Sequence, residues 1–103
     1  MSKKYNKLVR DKIPEIITAD GKQANIRILS NNEYREELIK KLQEEAKELA
    51  ESPSAEELAD IKELVIAIRE ALGLRAGELE EVRRQKAAKN GRFKKRIFLE
   101  SVE

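Results

Sequence analysis

The sequence contains no cysteine and no histidine. Without cysteine the chain has no disulfide framework, which fits a reducing cytoplasm. Without either residue it also lacks the ligands that most zinc sites use, so a metal site would have to be built from oxygen ligands. We therefore expect a cytoplasmic protein without a zinc centre.

Long apolar runs and glycine-rich loops are missing as well. The longest apolar run, residues 64–68, is far too short to span a bilayer, and no signal-peptide pattern opens the chain, so we expect no membrane association. The four glycines are scattered and form neither GxGxxG nor GxxxxGK[ST]. Phosphate binding would therefore have to come from a metal ion and from basic side chains.

The length of 103 residues corresponds to a single domain, residues 1–103. A chain of this size can bury a modest core but is short of enclosing a substrate unaided. We therefore expect a shared interface, in the form of a homodimer.

Charged residues make up 41% of the chain and are segregated along it. Residues 33–81 hold 15 acidic and 7 basic residues, a balance of −8, whereas the two flanks together hold 5 and 15, a balance of +10. One interpretation is an acidic metal site with basic arms that hold a polyanion. The alternative is a non-catalytic helical module whose basic ends bind nucleic acid or an acidic partner.

The apolar periodicity predicts a mainly α fold with three long helices, at residues 31–51, 53–72 and 76–90. The connection between the first two is short, which makes them antiparallel neighbours. We expect them to pair with the same helices of a second copy as a four-helix core.

Signals for helix starts and helix ends support these bounds. Ser30 and Glu33 match a capping box at the start of the first long helix, and Gly73 stands where the second ends. A shorter helix that Asp11 can cap, with Pro14 in its first turn, precedes them.

Two segments alternate in the manner of strands, residues 25–29 and 96–99. A lone strand needs a partner. We therefore expect a small two-stranded β ribbon that ties the start of the chain to its end.

Acidic residues fall inside the apolar stripes of the first two long helices. With about 100° of rotation per residue, Glu45 lies within the stripe of the first helix, Glu48 lies near its edge and Glu44 points towards solvent. On the second helix Glu57 lies inside the stripe and Asp60 at its edge. The antiparallel pairing brings the four inward acids, Glu45, Glu48, Glu57 and Asp60, into one site.

Ionised carboxylates at an apolar interface are costly unless they are paired or bind a metal. Carboxylates at helical i, i+3 spacing suit Mg²⁺, or alternatively Mn²⁺, which prefer octahedral oxygen sites. Two alternatives stay open. The acids can belong to solvated faces, and Glu57 can cap its own helix in a box with Ser54, unless that helix starts at Ser52 and Pro53.

The EExxE pattern at residues 44–48, followed by ExxD at residues 57–60, resembles the all-α nucleoside triphosphate pyrophosphatase (MazG-like) superfamily. Residues 5–14 and 91–99 resemble its small single-domain branch, which is phosphoribosyl-ATP pyrophosphohydrolase-like. The resemblance covers nearly the whole chain. The eight residues between Glu48 and Glu57 form a shorter gap than is usual in that family.

The resemblance implies a Mg²⁺-dependent hydrolase that cleaves a nucleoside triphosphate between the α and β phosphates, with non-canonical nucleotides as candidate substrates. Glu45, Glu48, Glu57 and Asp60 take the positions of the metal ligands. Such a site would neutralise the triphosphate and activate a water. Since histidine is absent, a general base would be a carboxylate, and Glu44 and Glu48 are the candidates.

Basic residues in both flanks are candidates for binding the phosphates of the substrate. Arg10 and Lys12 belong to the N-terminal motif, and Lys86 lies on the same face of the third long helix as Leu79, with Lys89 beyond it. Solvated charges are the alternative for each of them. With a triphosphate as substrate, nucleic acid is not the expected partner.

Overall fold

The computed structural model describes residues 3–103, which form four α-helices joined by loops. The helices are α1 (Ile13–Ala19), α2 (Asn31–Glu51), α3 (Ala55–Ala71) and α4 (Ala76–Asn90). The mainly α prediction is confirmed, and the bounds of α2 and α4 agree with the predicted ones. None of the helices within residues 3–103 combines the length and the apolar character needed to cross a bilayer.

Local hydrogen bonds decide where α2 and α3 begin. At α2 the Ser30 hydroxyl accepts the Glu33 N–H while the Glu33 carboxylate accepts the Ser30 N–H, so the predicted capping box is confirmed. At α3 the Ser54 hydroxyl accepts the Glu57 N–H. The start at Pro53 is therefore wrong, because Ser54 is the capping residue and α3 begins at Ala55.

The other two helices begin without a serine or aspartate cap. Lys12 is the N-cap residue of α1 and makes no side-chain cap hydrogen bond, so the cap predicted for Asp11 is wrong, although Pro14 does lie in the first turn. At α4 the Glu78 carboxylate accepts the Arg75 N–H at 3.3 Å. This bond satisfies one of the amides that the sequence left without a capping residue.

The second and third helices form an antiparallel hairpin joined by residues 52–54. The Arg35 guanidinium, near the start of α2, donates to the Ala71 carbonyl at the end of α3 over 3.0 Å. Gly73 then adopts a φ of 76°, and the Leu74 N–H bonds the Arg69 carbonyl at 3.1 Å, which closes α3.

The buried core within residues 3–103 is very small. Only Leu38 of α2 and Leu64 of α3 are buried there, with 2% and 8% exposure. Helix α4 packs on α3, whereas α1 packs against none of the other three helices. The hairpin of α2 and α3 therefore carries the core, and the N-terminal segment with α1 is an arm beside it.

The predicted β ribbon is not formed, since residues 3–103 contain no strand. Both segments that were expected to pair are open to solvent, as Ile28 and Phe98 show with 88% and 87% exposure. Arg96, at the start of the second segment, has a φ of 57°, which a strand does not allow. A strand with neither a ladder partner nor a layer to cover its apolar face gains too little to order as a sheet.

The chain buries less surface than a folded domain of its size usually does. Its radius of gyration is 18.2 Å, against about 13 Å for a compact domain of this length. Its accessible surface is 9831 Å², against roughly 6,000 Å² for a monomeric protein of this mass. The excess includes an apolar groove across α2, α3 and the start of α4, lined by Ile39, Leu42, Val65, Ile68, Arg69, Leu72, Leu74 and Leu79.

Candidate metal centre

Three carboxylates meet where the end of α2 passes the start of α3. One oxygen each from Glu45, Glu57 and Asp60 lies within 4.8 Å of the other two. The antiparallel hairpin produces this arrangement, because its short connection sets a late position of α2 beside early positions of α3. These residues, called the acidic trio below, form a group that can hold a metal ion.

The acidic trio is partly withdrawn from water. The Glu45 side chain is only 12% exposed. Within residues 3–103, Oε2 of Glu45 and Oε2 of Glu57 are shielded from solvent and have no hydrogen-bond partner. An unsatisfied buried carboxylate oxygen is costly, so the site favours a bound cation.

The capping alternative for Glu57 is only half realised. Ser54 accepts the Glu57 N–H at 3.1 Å. The Glu57 carboxylate is not a reciprocal cap, since one of its oxygens is a buried atom without a partner. The backbone N–H of Glu57 therefore takes part in capping α3, while its carboxylate belongs to the acidic trio.

Two basic side chains touch the acidic trio. The Lys41 ammonium lies 3.8 Å from Glu45 Oε1, and the Arg10 guanidinium donates to Asp60 Oδ1 over 2.7 Å. Sequence reasoning named Arg10 but missed Lys41. The available signal was its spacing, because a lysine four residues before Glu45 lies on the same helix face.

The neighbouring carboxylates perturb the acidity of Glu45. Burial raises its pKa from the ordinary value of 4.5 to about 7. Further contributions come from a hydrogen bond that the protonated group can donate to Glu57, from the charge of Glu48 and a hydrogen bond to it, and from the charge of Asp60. Such a shift is typical of carboxylates crowded into a functional site. At neutral pH the group is divided between its charged and neutral forms, and a cation would favour the charged one.

Glu48 and Glu44 occupy different positions from the acidic trio. Glu48 is exposed and lies close enough to Glu45 to raise its pKa, but it is not one of the mutually close group. Glu44 is exposed on the outer side of α2. With this short connection, Glu45 is therefore the residue of α2 that lies opposite Glu57 and Asp60.

The predicted phosphate-binding residues are not all gathered at the acidic trio. Arg10 touches it through Asp60, while Lys12 is exposed at the start of α1 and Lys89 is exposed near the end of α4. Lys86 lines a separate groove at the C-terminal end of α4, together with Arg83, Ala87, Asn90, Gly91, Arg92, Phe93 and Lys94. No member of the acidic trio lines that groove, so it forms a distinct basic surface.

The donor set fits a hard divalent cation. All the candidate ligands are carboxylate oxygens, which Mg²⁺ and Mn²⁺ prefer, and Mg²⁺ typically takes one or two carboxylates and completes its shell with water and substrate phosphates. The buried oxygens of Glu45 and Glu57 point to the same conclusion, because a cation would satisfy both of them.

Comparison with known proteins adds one short match. An uncharacterized protein of Mycolicibacterium smegmatis is 55% identical over 42 residues, which are 41% of this chain and 43% of that protein. The match thus spans less than half the length of that relative. No protein-family model and no solved structure matches the chain. The resemblance to the MazG-like superfamily therefore stays a prediction.

The raised pKa of Glu45 predicts that stability falls as pH rises when divalent cations are removed. The stability that the protonated group contributes is fully present below the ordinary pKa of 4.5 and is lost as pH rises through about 7. In EDTA we expect the free energy of unfolding to drop by on the order of 2 kcal/mol between about pH 5 and about pH 8. Denaturant titrations followed by far-UV circular dichroism measure this.

Glu45→Gln is the matched variant, since it keeps the shape of the side chain and removes the charge. Its stability in EDTA should be nearly independent of pH over this range and should exceed that of the parent at the upper end. A variant as steep in its pH dependence as the parent would show that Glu45 is not the titrating group.

Proposed function

We propose that this protein is a Mg²⁺-dependent nucleoside triphosphate pyrophosphohydrolase, which yields a nucleoside monophosphate and pyrophosphate. The observation that carries the proposal is the acidic trio, with its two buried carboxylate oxygens that have no partner within residues 3–103. Its members occupy positions that the resemblance assigns to metal ligands. Canonical and non-canonical nucleotides are both candidate substrates.

Glu45, Glu57 and Asp60 are the residues that would hold the ion, and Glu48 stands beside Glu45 as an additional ligand or as a proton acceptor. A bound Mg²⁺ supplies charge neutralisation on the phosphates and Lewis-acid activation of a water. The exposed carboxylate of Glu48 can accept a proton from a water at the edge of the site. Glu44 faces away from the acidic trio and is the weaker candidate for this role.

Arg10 is the residue best placed to meet phosphate oxygens, because it already lies against Asp60. Its planar guanidinium offers paired donors that match a phosphate group. Lys12, Lys86 and Lys89 would contribute only if the arm or a second copy brought them to the site.

The protein is also proposed to act as a homodimer, in which a second copy covers the apolar groove of α2, α3 and α4. The accessible surface exceeds the expectation for a monomer by nearly 4,000 Å². A standard interface removes about 800 Å² from each partner, so the excess is larger than one such interface requires. The groove is rich in leucine, isoleucine and valine, the composition of an obligate interface.

The acidic trio predicts that Mg²⁺ stabilises the protein well beyond the effect of ionic strength. Millimolar MgCl₂ should raise Tm more than NaCl of equal ionic strength, because the ion binds the native state. Glu57→Gln should abolish most of this increment, whereas Glu44→Gln, its exposed counterpart, should keep it. If both salts raised Tm equally in the parent, the metal centre would be rejected in favour of the non-catalytic module with basic ends.

The reaction predicts a specific product. With a nucleoside triphosphate and Mg²⁺, phosphorus NMR should show pyrophosphate and nucleoside monophosphate growing together, with no orthophosphate as first product. A panel of standard, deoxy and damaged nucleotides with phosphoribosyl-ATP would identify the preferred base. Orthophosphate released first would exclude the pyrophosphohydrolase activity, even if hydrolysis depended on Mg²⁺.

The dimer is tested by a charge placed in the apolar groove. Leu72→Glu should shift the protein from dimer to monomer in sedimentation equilibrium, because the buried carboxylate would lack a partner. Ile16→Glu on α1 is the matched control, since Ile16 is 57% exposed and Leu72 56% exposed. A parent that is monomeric at all concentrations, or an equal effect of both variants, would reject this interface.

A further inference from the structure

Arg10 makes the one side-chain hydrogen bond within residues 3–103 that joins the N-terminal arm to the acidic trio. Its guanidinium donates to Asp60 Oδ1 over 2.7 Å, across 50 positions of the sequence. The two side chains are 55% and 41% exposed, so water reaches both. Because α1 packs against no other helix, packing of that helix does not hold Arg10 at Asp60.

We propose that Arg10 couples the binding of a divalent cation to the binding of a polyphosphate, by exchanging Asp60 for a phosphate oxygen. The inference rests on the proposed function, because it takes Asp60 as a cation ligand. It goes further in assigning the coupling between the two ligands to a named contact.

Arg10 and the cation compete for one carboxylate, that of Asp60. A guanidinium on Asp60 Oδ1 repels a cation that approaches the same group, so the cation alone must displace or weaken the ion pair. A polyphosphate that recruits Arg10 must break the same ion pair. When both bind, the ion pair is broken only once, so each ligand favours the other.

The exchange is feasible because the hydrogen bond between Arg10 and Asp60 is short but contributes little net free energy. Half-exposed ion pairs contribute little to stability, so phosphate can replace the carboxylate as partner without a large penalty. A guanidinium also pairs with phosphate in the same two-donor geometry that it uses with a carboxylate.

Lys41 does not share this role. It lies on α2, one turn from Glu45, and its side chain is only 22% exposed. Its helix holds it within the hairpin, so it stays near Glu45 whichever ligand binds. The coupling is therefore assigned to the arm and not to the core of the site.

The test measures two ligands alone and together. Mn²⁺ binding is followed by the loss of its free electron paramagnetic resonance signal, with inorganic tripolyphosphate as the second ligand. Arg10→Gln should bind Mn²⁺ alone about two- to fivefold more tightly than the parent and tripolyphosphate more weakly. The coupling factor, the gain in Mn²⁺ affinity caused by saturating tripolyphosphate, should fall at least about threefold.

Two further variants make the result specific. Arg27→Gln removes an exposed arginine that pairs with Glu33 over 2.9 Å, so it matches the charge change and should leave the coupling factor unchanged. Arg10→Lys keeps the charge and loses the paired donors, so it should retain part of the coupling. Free tripolyphosphate also chelates Mn²⁺ and removes the free signal, so a titration without protein at each tripolyphosphate concentration gives the free Mn²⁺ from which the affinities are calculated.

The possible outcomes separate the two proposals. If the parent binds Mn²⁺ but Arg10→Gln has the same coupling factor, the role of Arg10 is wrong and the metal centre stands. A tighter Mn²⁺ site with unchanged coupling also rejects the exchange, since it would reflect only the loss of a nearby positive charge. If the parent binds no Mn²⁺, the proposed function fails and the inference falls with it.

Discussion

The interaction on which the structure depends is the meeting of like charges at the contact between α2 and α3. Glu45, Glu57 and Asp60 bring carboxylate oxygens within 4.8 Å of one another, and two of these groups have an oxygen that is shielded from water. Desolvation and repulsion both oppose this arrangement, and both raise the pKa of Glu45. A protein under selection for stability alone would place leucine at such positions, so the acids indicate a task that requires charge.

The hairpin tolerates this repulsion because the acids lie at one end of it. The apolar contact is concentrated at Leu38 and Leu64, and the hydrogen bond from Arg35 to the Ala71 carbonyl ties the opposite end of the pair. At the acidic end, the cap from Ser54 fixes where α3 starts and hence which face Glu57 presents. The turn and the cap therefore position the site, while the core holds the two antiparallel helices together.

Local patterns in the sequence predicted much of this arrangement. The capping box at Ser30 and the apolar period gave the bounds of α2, and the same period placed Glu45 inward and Glu44 outward, as their exposures agree. The β ribbon was wrong because alternation describes a strand but does not supply its partner. The place of Glu48 outside the mutually close group and the contact of Lys41 with Glu45 were not predicted. The relative height of two helices depends on their packing and on the turn between them, which no periodicity within one helix records.

The small core and the crowded acids have a common physical consequence. With two buried residues within residues 3–103, the isolated chain has little apolar burial to offset its conformational entropy. It also carries carboxylates whose charged forms are penalised by burial. The association proposed above would remove both deficits, the first through a second copy over the apolar groove and the second through a cation at the acidic trio. Because ligands that bind only the native state stabilise it by mass action, the stability of this protein should then depend on its own concentration and on that of the cation.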